Sequence, residues 1–425
     1  MSKTHRIIFA EKKDSPQPLN GVDILSLDFV NYSLLFDHTL DEKTLVDSLK
    51  KALSIYPYFS GRIKDIYSDC PIVTACDSGI SFTTESYSED ILCFTSYDSH
   101  YLQRCHIKPE SAFVDEDTPL LQVKLSKYCN GSIISFLFHH TLCDAQSFFR
   151  FLVNWGKLAR EESPSIVSFD RRLIQERTEG NEHFPEENIP VVKVNQDFQP
   201  LEKVGSKRTF RISKNFIDSL VTSAKAKGIK DRIGLKHSLL KAFIWKLISL
   251  NYNSKDEARS ILLVYDTRAL LKIGRTYFGN AQVLQTFEFK QNVLLDVSIE
   301  TIAEEILTSY YDLIENPSQL YREITYLNAL IKAKTIREYD YEAFRLFAEG
   351  KAIAINDMHT QPIYDIDIDF GSGPAVWFEH LDRGKMNNYI EFFPAPEKNG
   401  DIILFTTLHE DDTTNFPKYF SAIDN

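Results

Sequence analysis

The chain has 425 residues, more than the roughly 250–300 at which a single hydrophobic core stops growing, so two domains are expected. Hydrophobic residues make up 43% and charged residues 25%, with 30 Phe and 20 Tyr, the composition of a folded protein rather than a disordered one. The net charge of −12 repels phosphate backbones and anionic membranes, which excludes nucleic acid as an expected partner.

No apolar run reaches the ~18–20 residues of a membrane span, and Met1–Ser15 is polar apart from Ile7–Ala10, so a soluble, cytoplasmic protein without a membrane span is expected; a monomer is expected as well.

Along the first half, Thr39-Leu-Asp-Glu42 reads as a capping box. Leu45, Val46, Leu49, Ala52, Leu53 and Tyr56 then share one helical face until Pro57 stops the helix. Six cysteines (Cys70, Cys76, Cys93, Cys105, Cys129 and Cys143) follow, with no C-x-x-C pair and no partnering histidine spacing. Reduced thiols and no metal site are therefore expected. Leu121, Val123 and Leu125 alternate with polar residues as a half-buried strand, and Ser132–Phe138 is apolar enough for a fully buried one.

Phe136-Leu-Phe-His139-His140-Thr-Leu-Cys-Asp144-Ala145 lies where that strand ends and a helix begins, because Phe148, Phe149, Leu152, Trp155 and Leu158 recur at helical spacing. A strand end holds a side chain rigidly, and imidazole, with an unperturbed pKa of about 6.5, accepts a proton near neutral pH, so His140 is a candidate general base. The same residues also read as a polar turn in which Asp144 is an ordinary N-cap. No third zinc ligand is evident nearby, and no G-x-S-x-G elbow occurs.

Between Arg177 and Pro200 the chain is rich in Pro, Gly, Asn and Glu with weak apolar periodicity, a linker signal. The expected division is 1–180, a linker or crossover over 181–206, and 207–425. In the second half Leu239, Leu240, Phe243 and Leu247 mark a helix, Ile261–Tyr265 a strand and Ile299–Ile314 another helix, so both halves mix helix with strand and the expected class is α/β. Val264-Tyr-Asp266-Thr-Arg268 ends a strand, with Tyr277-Phe-Gly279-Asn280 about a dozen residues on. If Arg268 is buried it needs a carboxylate, and Asp369 is the candidate. Asp365, Asp367 and Asp369 alternate as if along one side of a strand. A calcium loop starting at Asp365 fails, with Phe370 and Val376 where Gly and Glu are required. Gly371-Ser-Gly373 lacks the third glycine of a nucleotide fingerprint.

Taken together, these segments resemble the BAHD acyltransferases, coenzyme-A-dependent O- and N-acyltransferases related in fold to chloramphenicol acetyltransferase. The resemblance runs through Leu25-Ser-Leu-Asp28, Tyr56-Pro57 to Gly61-Arg62, Pro119-Leu-Leu-Gln-Val123, the H-x-x-x-D motif at His140 and Asp144, Ala242-Phe-Ile-Trp245, Asp266-Thr-Arg268, Tyr277-Phe-Gly-Asn280, Asp369-Phe-Gly-Ser-Gly373 and Asp401–Leu408. It implies two chloramphenicol-acetyltransferase-like domains with mixed β-sheets and flanking helices, and an active-site channel between them. It also implies acyl-CoA as co-substrate with no permanently bound cofactor, a small-molecule alcohol or amine as acceptor, His140 as general base and no acyl-enzyme. By the same resemblance Asp144, Arg268, Asp369, Gly371 and Gly373 support the site. Asp144 pairs with an arginine, and Asp369 pairs with Arg268. Three positions depart from the family pattern: Ala145 stands for glycine, Ser372 for tryptophan, and Leu235-Lys236-His237-Ser238 for small hydroxylated residues. Lys236 is the candidate phosphate contact. The competing readings are a condensation-type enzyme that uses carrier-protein thioesters and a non-catalytic binding member of the fold.

Overall fold

A computed structural model describes residues 2–423 except 13, 27, 76–77, 92–103, 110–115, 175–188, 195–204, 252–259, 365–367 and 382–386. Two mixed sheets carry the described architecture. The first orders its strands Ser2–Ile8, Ile80–Ser86, Leu121–Lys127, Ser132–His139, Phe29–Phe36 and Trp377–His380, antiparallel except where Ile80–Ser86 meets Leu121–Lys127. The second runs Gln282–Phe287, Ser260–Asp266, Ala352–Asp357, Tyr389–Pro394, Ile402–Leu408, Ser206–Ile212 and Ser421–Ala422, with two parallel pairs flanking Ala352–Asp357.

One strand joins the halves. Trp377–His380 comes from the second half but pairs with Phe29–Phe36 of the first sheet, Trp377 opposite Leu35 and His380 opposite Tyr32. All four of its residues are buried, as a strand covered on both faces must be.

The helix Glu42–Ile55 carries the expected apolar face, but its cap differs from the capping box read in the sequence. Asp41 caps it, its carboxylate accepting the Thr44 N–H at 2.8 Å, because Asp41 is the residue that immediately precedes the first turn, where a short acceptor reaches the free N–H groups. The helix ends before Pro57, which opens a short 3₁₀ turn. Against this helix lies Ala145–Ala159, and the Trp155 indole N–H donates to the Ser48 hydroxyl at 2.9 Å between them. Tyr56, Phe59, Phe148, Phe151 and Trp155 fill the space with tilted and edge-on ring contacts, the arrangement aromatic quadrupoles favour.

Leu121–Lys127, read as half-buried from its alternation, is covered on both sides, with Gln122 and Ser126 buried as well. In the second half the helices Leu235–Ser249 and Ile299–Glu315 pack together over the second sheet, with Trp245 wholly buried.

Of the stretch 181–206 only 189–194 and 205–206 are described, and Val191–Lys193 pairs there with Tyr339–Tyr341. Cys76 and Cys93 lie outside the described residues, while Cys70, Cys105, Cys129 and Cys143 are free thiols. No described helix is long and apolar enough to cross a membrane.

Candidate active site

The two adjacent histidines take opposite environments, because neighbouring side chains leave a strand on opposite faces. His139, the last residue of Ser132–His139, is wholly buried, with its ring edge-on to Phe29 at 4.8 Å between centroids. Burial, with a smaller push from His140, holds its imidazole at about 3, so it is neutral at physiological pH. Its Nδ1 accepts the Thr141 N–H at 3.2 Å.

His140 begins the turn and is half-buried. Its backbone is held at both ends: the N–H donates to the Asp28 carbonyl at 2.8 Å, and its carbonyl accepts from the Asn280 amide at 2.8 Å. Its Nδ1 is enclosed and has no hydrogen-bond partner among the described residues.

Asp144 caps the helix Ala145–Ala159 by accepting the Ser147 N–H at 2.9 Å. Both readings of this residue meet here, since it also forms an ion pair with Arg268, Oδ2 lying 2.9 Å from Nη1 and Oδ1 accepting from Nη2 at 2.9 Å. The Ala281 N–H donates to Oδ2 at 3.1 Å. Burial alone would raise this carboxyl, but the Arg268 charge and these donors outweigh it and hold it below the usual range. Both oxygens are thus occupied by groups other than His140, and Asp144 forms no dyad with it.

Arg268 follows the strand Ser260–Asp266 and is 2% exposed. Its guanidinium reaches Asp266 at 3.0 Å, the Ser147 hydroxyl at 2.8 Å and the Gly279 carbonyl at 3.1 Å. The expected pair with Asp369 is not formed. Asp369 instead sits in a tight turn, bridged singly to Pro374, and its Oδ1 accepts the N–H groups of Gly371, Ser372 and Gly373 at 2.7–2.9 Å. Three amide donors already hold one oxygen of this carboxylate, while Asp144 is the acid whose helix start faces Arg268. Gly371 at φ +100° and Gly373 at φ +118° give the backbone its left-handed course there, which residues with a Cβ adopt only under strain. The strand expected over Asp365–Asp369 is therefore a turn at Asp369, and Asp365 and Asp367 lie outside the described residues.

A second buried ion pair braces the same turn, and sequence reading missed it. Asp23 and Arg171 meet at 2.7 Å, wholly or almost wholly buried. Arg171 also donates to the Leu142 carbonyl. Asn280, quoted in the sequence only as part of a motif, links the two networks: its amide donates to Asp23 at 3.0 Å as well as to the carbonyls of His140 and Thr141. An Asp inside a short helix and one arginine of the Arg171-Arg172 pair before a linker carry no local signal of this kind.

Beside Arg268 opens a cavity of about 570 Å³, lined also by Tyr265, Tyr310, Lys241 and His237, with Lys272 and Arg275 exposed at its rim. Lys236 lies on the first turn of Leu235–Ser249 and is not among the lining residues; its neighbours His237 and Lys241 are.

Residues 11–423 match the family described as the Transferase family. Among curated relatives, baccatin III:3-amino-3-phenylpropanoyltransferase of Taxus cuspidata is 26% identical over 170 residues, 37% of this chain and 38% of that protein. The chain covers less than two-thirds of the length of that relative and of others like it. The crystal structure of F. graminearum TRI101 complexed with coenzyme A and T-2 mycotoxin superposes with a TM-score of 0.76 at 15% identity, covering 96% of this chain and 100% of that one. Vinorine synthase superposes at 0.70 and 17% identity, covering the whole of both chains. The two-domain α/β fold with mixed sheets is shared with both, and neither sheet closes into a barrel.

Proposed function

The chain belongs to the Transferase family of BAHD acyltransferases, and we propose that it moves an acyl group from a coenzyme A thioester to a hydroxyl or amine of a small molecule, with His140 as general base. The observation that carries this reading is the His140 imidazole itself. It stands at the end of a buried strand on a half-buried residue, its backbone fixed at N–H and carbonyl and its Nδ1 without a hydrogen-bond partner among the described residues.

A ring nitrogen of His140 takes the acceptor's proton as the acceptor's oxygen or nitrogen attacks the thioester carbonyl. The new C–O or C–N bond gives a tetrahedral intermediate. Its collapse breaks the C–S bond, and the proton returns from His140 to the departing sulfur. No acyl-enzyme forms. Cys143, the tempting nucleophile, is wholly buried, and burial pushes its thiol well above the ordinary range, which leaves no thiolate to attack. Asp144 and Arg268 hold the turn, and Asp369 with Gly371 and Gly373 shapes the later loop.

Coenzyme A as donor is supported by its presence in the TRI101 complex. The cavity beside Arg268, with Lys272 and Arg275 at its rim, suits a polyanionic donor better than Lys236 does. The enzyme acts as a cytoplasmic monomer in this reading. The test is incubation of wild type and His140→Ala with a panel of acyl donors and of alcohol and amine acceptors, following free thiol release and the acylated product. Turnover by wild type that His140→Ala retains in full rejects His140 as base; turnover only with carrier-protein thioesters would replace the donor.

A further inference from the structure

Away from the His140 turn, two imidazoles and a carboxylate converge on the wall of the same cavity. His237 stands in the first turn of Leu235–Ser249, Asp357 ends the strand Ala352–Asp357, and His359 follows two residues later. The two rings stack with centroids 3.7 Å apart at 25°. His359 Nδ1 is hydrogen-bonded to Asp357 Oδ1. His237 Nδ1 lies 3.9 Å from Asp357 Oδ2, too far to bond, and is enclosed with no hydrogen-bond partner among the described residues. One donor atom from each of the three residues lies within 4.8 Å of the others.

We propose that His237, Asp357 and His359 form a binding site for a divalent transition-metal ion of borderline softness, such as zinc, open on one side to the cavity. The donor set selects the class of ion: two imidazoles with one carboxylate suit zinc and its neighbours, whereas magnesium and calcium take all-oxygen sites. The spacing fits as well. Ligands on one tetrahedral zinc, at about 2.0–2.1 Å from the ion, stand roughly 3.3 Å apart, so closing from 4.8 Å takes a small side-chain rotation of residues that are each partly exposed. An ion there would occupy the lone pair of His237 Nδ1, which has no hydrogen-bond partner among the described residues. Lys241, 2.9 Å from Asp357 Oδ2, then acts as the outer partner that orients the carboxylate, as such partners do in metal sites. The cavity side leaves room for a water or an oxygen of a bound small molecule. His237 is separated from Asp357 and His359 by about 120 residues, so no short-range ligand spacing reveals the trio.

The experiment uses the full-length, untagged protein stripped with EDTA and titrated with Zn²⁺, Co²⁺ and Mg²⁺ by calorimetry, with the visible absorption of Co²⁺ as a coordination readout. Expected are a single Zn²⁺ site of micromolar or tighter affinity, visible Co²⁺ bands, and no uptake of Mg²⁺. Separate His359→Ala and His237→Asn variants should each weaken Zn²⁺ binding by about tenfold or more. Absence of Zn²⁺ binding by the wild type overturns the proposal, as does unchanged affinity in both variants, which would place the ion on other histidines. His359 lies outside any helix or strand, and thermal unfolding of each stripped variant checks that the fold is kept. Acyl transfer is not part of the readout, so failure here leaves the His140 mechanism standing, and the reverse holds.

Discussion

Arg268 and Asp144 face each other through two contacts of 2.9 Å, although 124 residues separate them, and both side chains are buried. This pair fastens the second half of the chain to the turn that presents His140. Arg268→Met should strand the Asp144 carboxylate and cost about 3–5 kcal/mol, read as a lowered urea midpoint with an unchanged slope. A loss near zero would mean that Ser147 and Ala281 alone satisfy Asp144. Because the Asp144 pKa is depressed in the fold, its contribution is full above the unfolded value of about 3.9 and is lost as pH falls through the folded value. The variant and the wild type should therefore converge in stability on strong acidification.

The two histidines should separate when truncated. His140→Ala should lower kcat by roughly 10²–10⁴-fold while the unfolding midpoint moves little. His139→Ala removes a wholly buried ring packed on Phe29 and should cost about 2–4 kcal/mol through the cavity it leaves. Equal loss of stability in both variants would mark the segment as a structural turn and remove the case for a base.

Asn280 positions the His140 carbonyl without being placed to touch the reacting atoms. Asn280→Ala should lower kcat about tenfold with KM nearly unchanged, the pattern of a misplaced base, and cost about 1–3 kcal/mol for the amide donor lost to Asp23 and to the turn carbonyls. A rise in KM at constant kcat would show a binding role instead.

Glu323, in the helix Ser318–Lys332, is 3% exposed, and burial pushes its carboxyl up to about 8 despite a hydrogen bond with Tyr341. The unfolded chain gives up this proton near pH 4.3, the folded one near 8, so the wild type loses stability as pH rises between those values and no further above. Glu323→Gln removes that dependence. It should stabilise the protein by about 1–3 kcal/mol at pH 7, and the gain should vanish at pH 4. A pH-independent difference would show that Glu323 is ionised in the fold.

The sequence by itself determined the local elements and the place of the turn that carries His140. The helix face from Leu45 to Tyr56, the buried strand before His139 and the helix after Asp144 follow from periodicities of 3.6 and 2 that act over a few residues, and the ordered motifs from Leu25 to Leu408 carried the family. What the tertiary structure alone decided is which distant groups meet. In the sequence Asp369 stood as the partner of Arg268; the three amide donors of the Gly371–Gly373 turn hold that carboxylate instead, and the geometry of the helix start delivers Asp144 to Arg268. The same holds for Asp23 with Arg171, for Trp377–His380 inserted beside Phe29–Phe36, and for His237 beside His359. Partners in such contacts are chosen by the desolvation cost of leaving a charge or polar group unpaired in the assembled core, a cost that exists only once strands and helices have brought the groups out of water together.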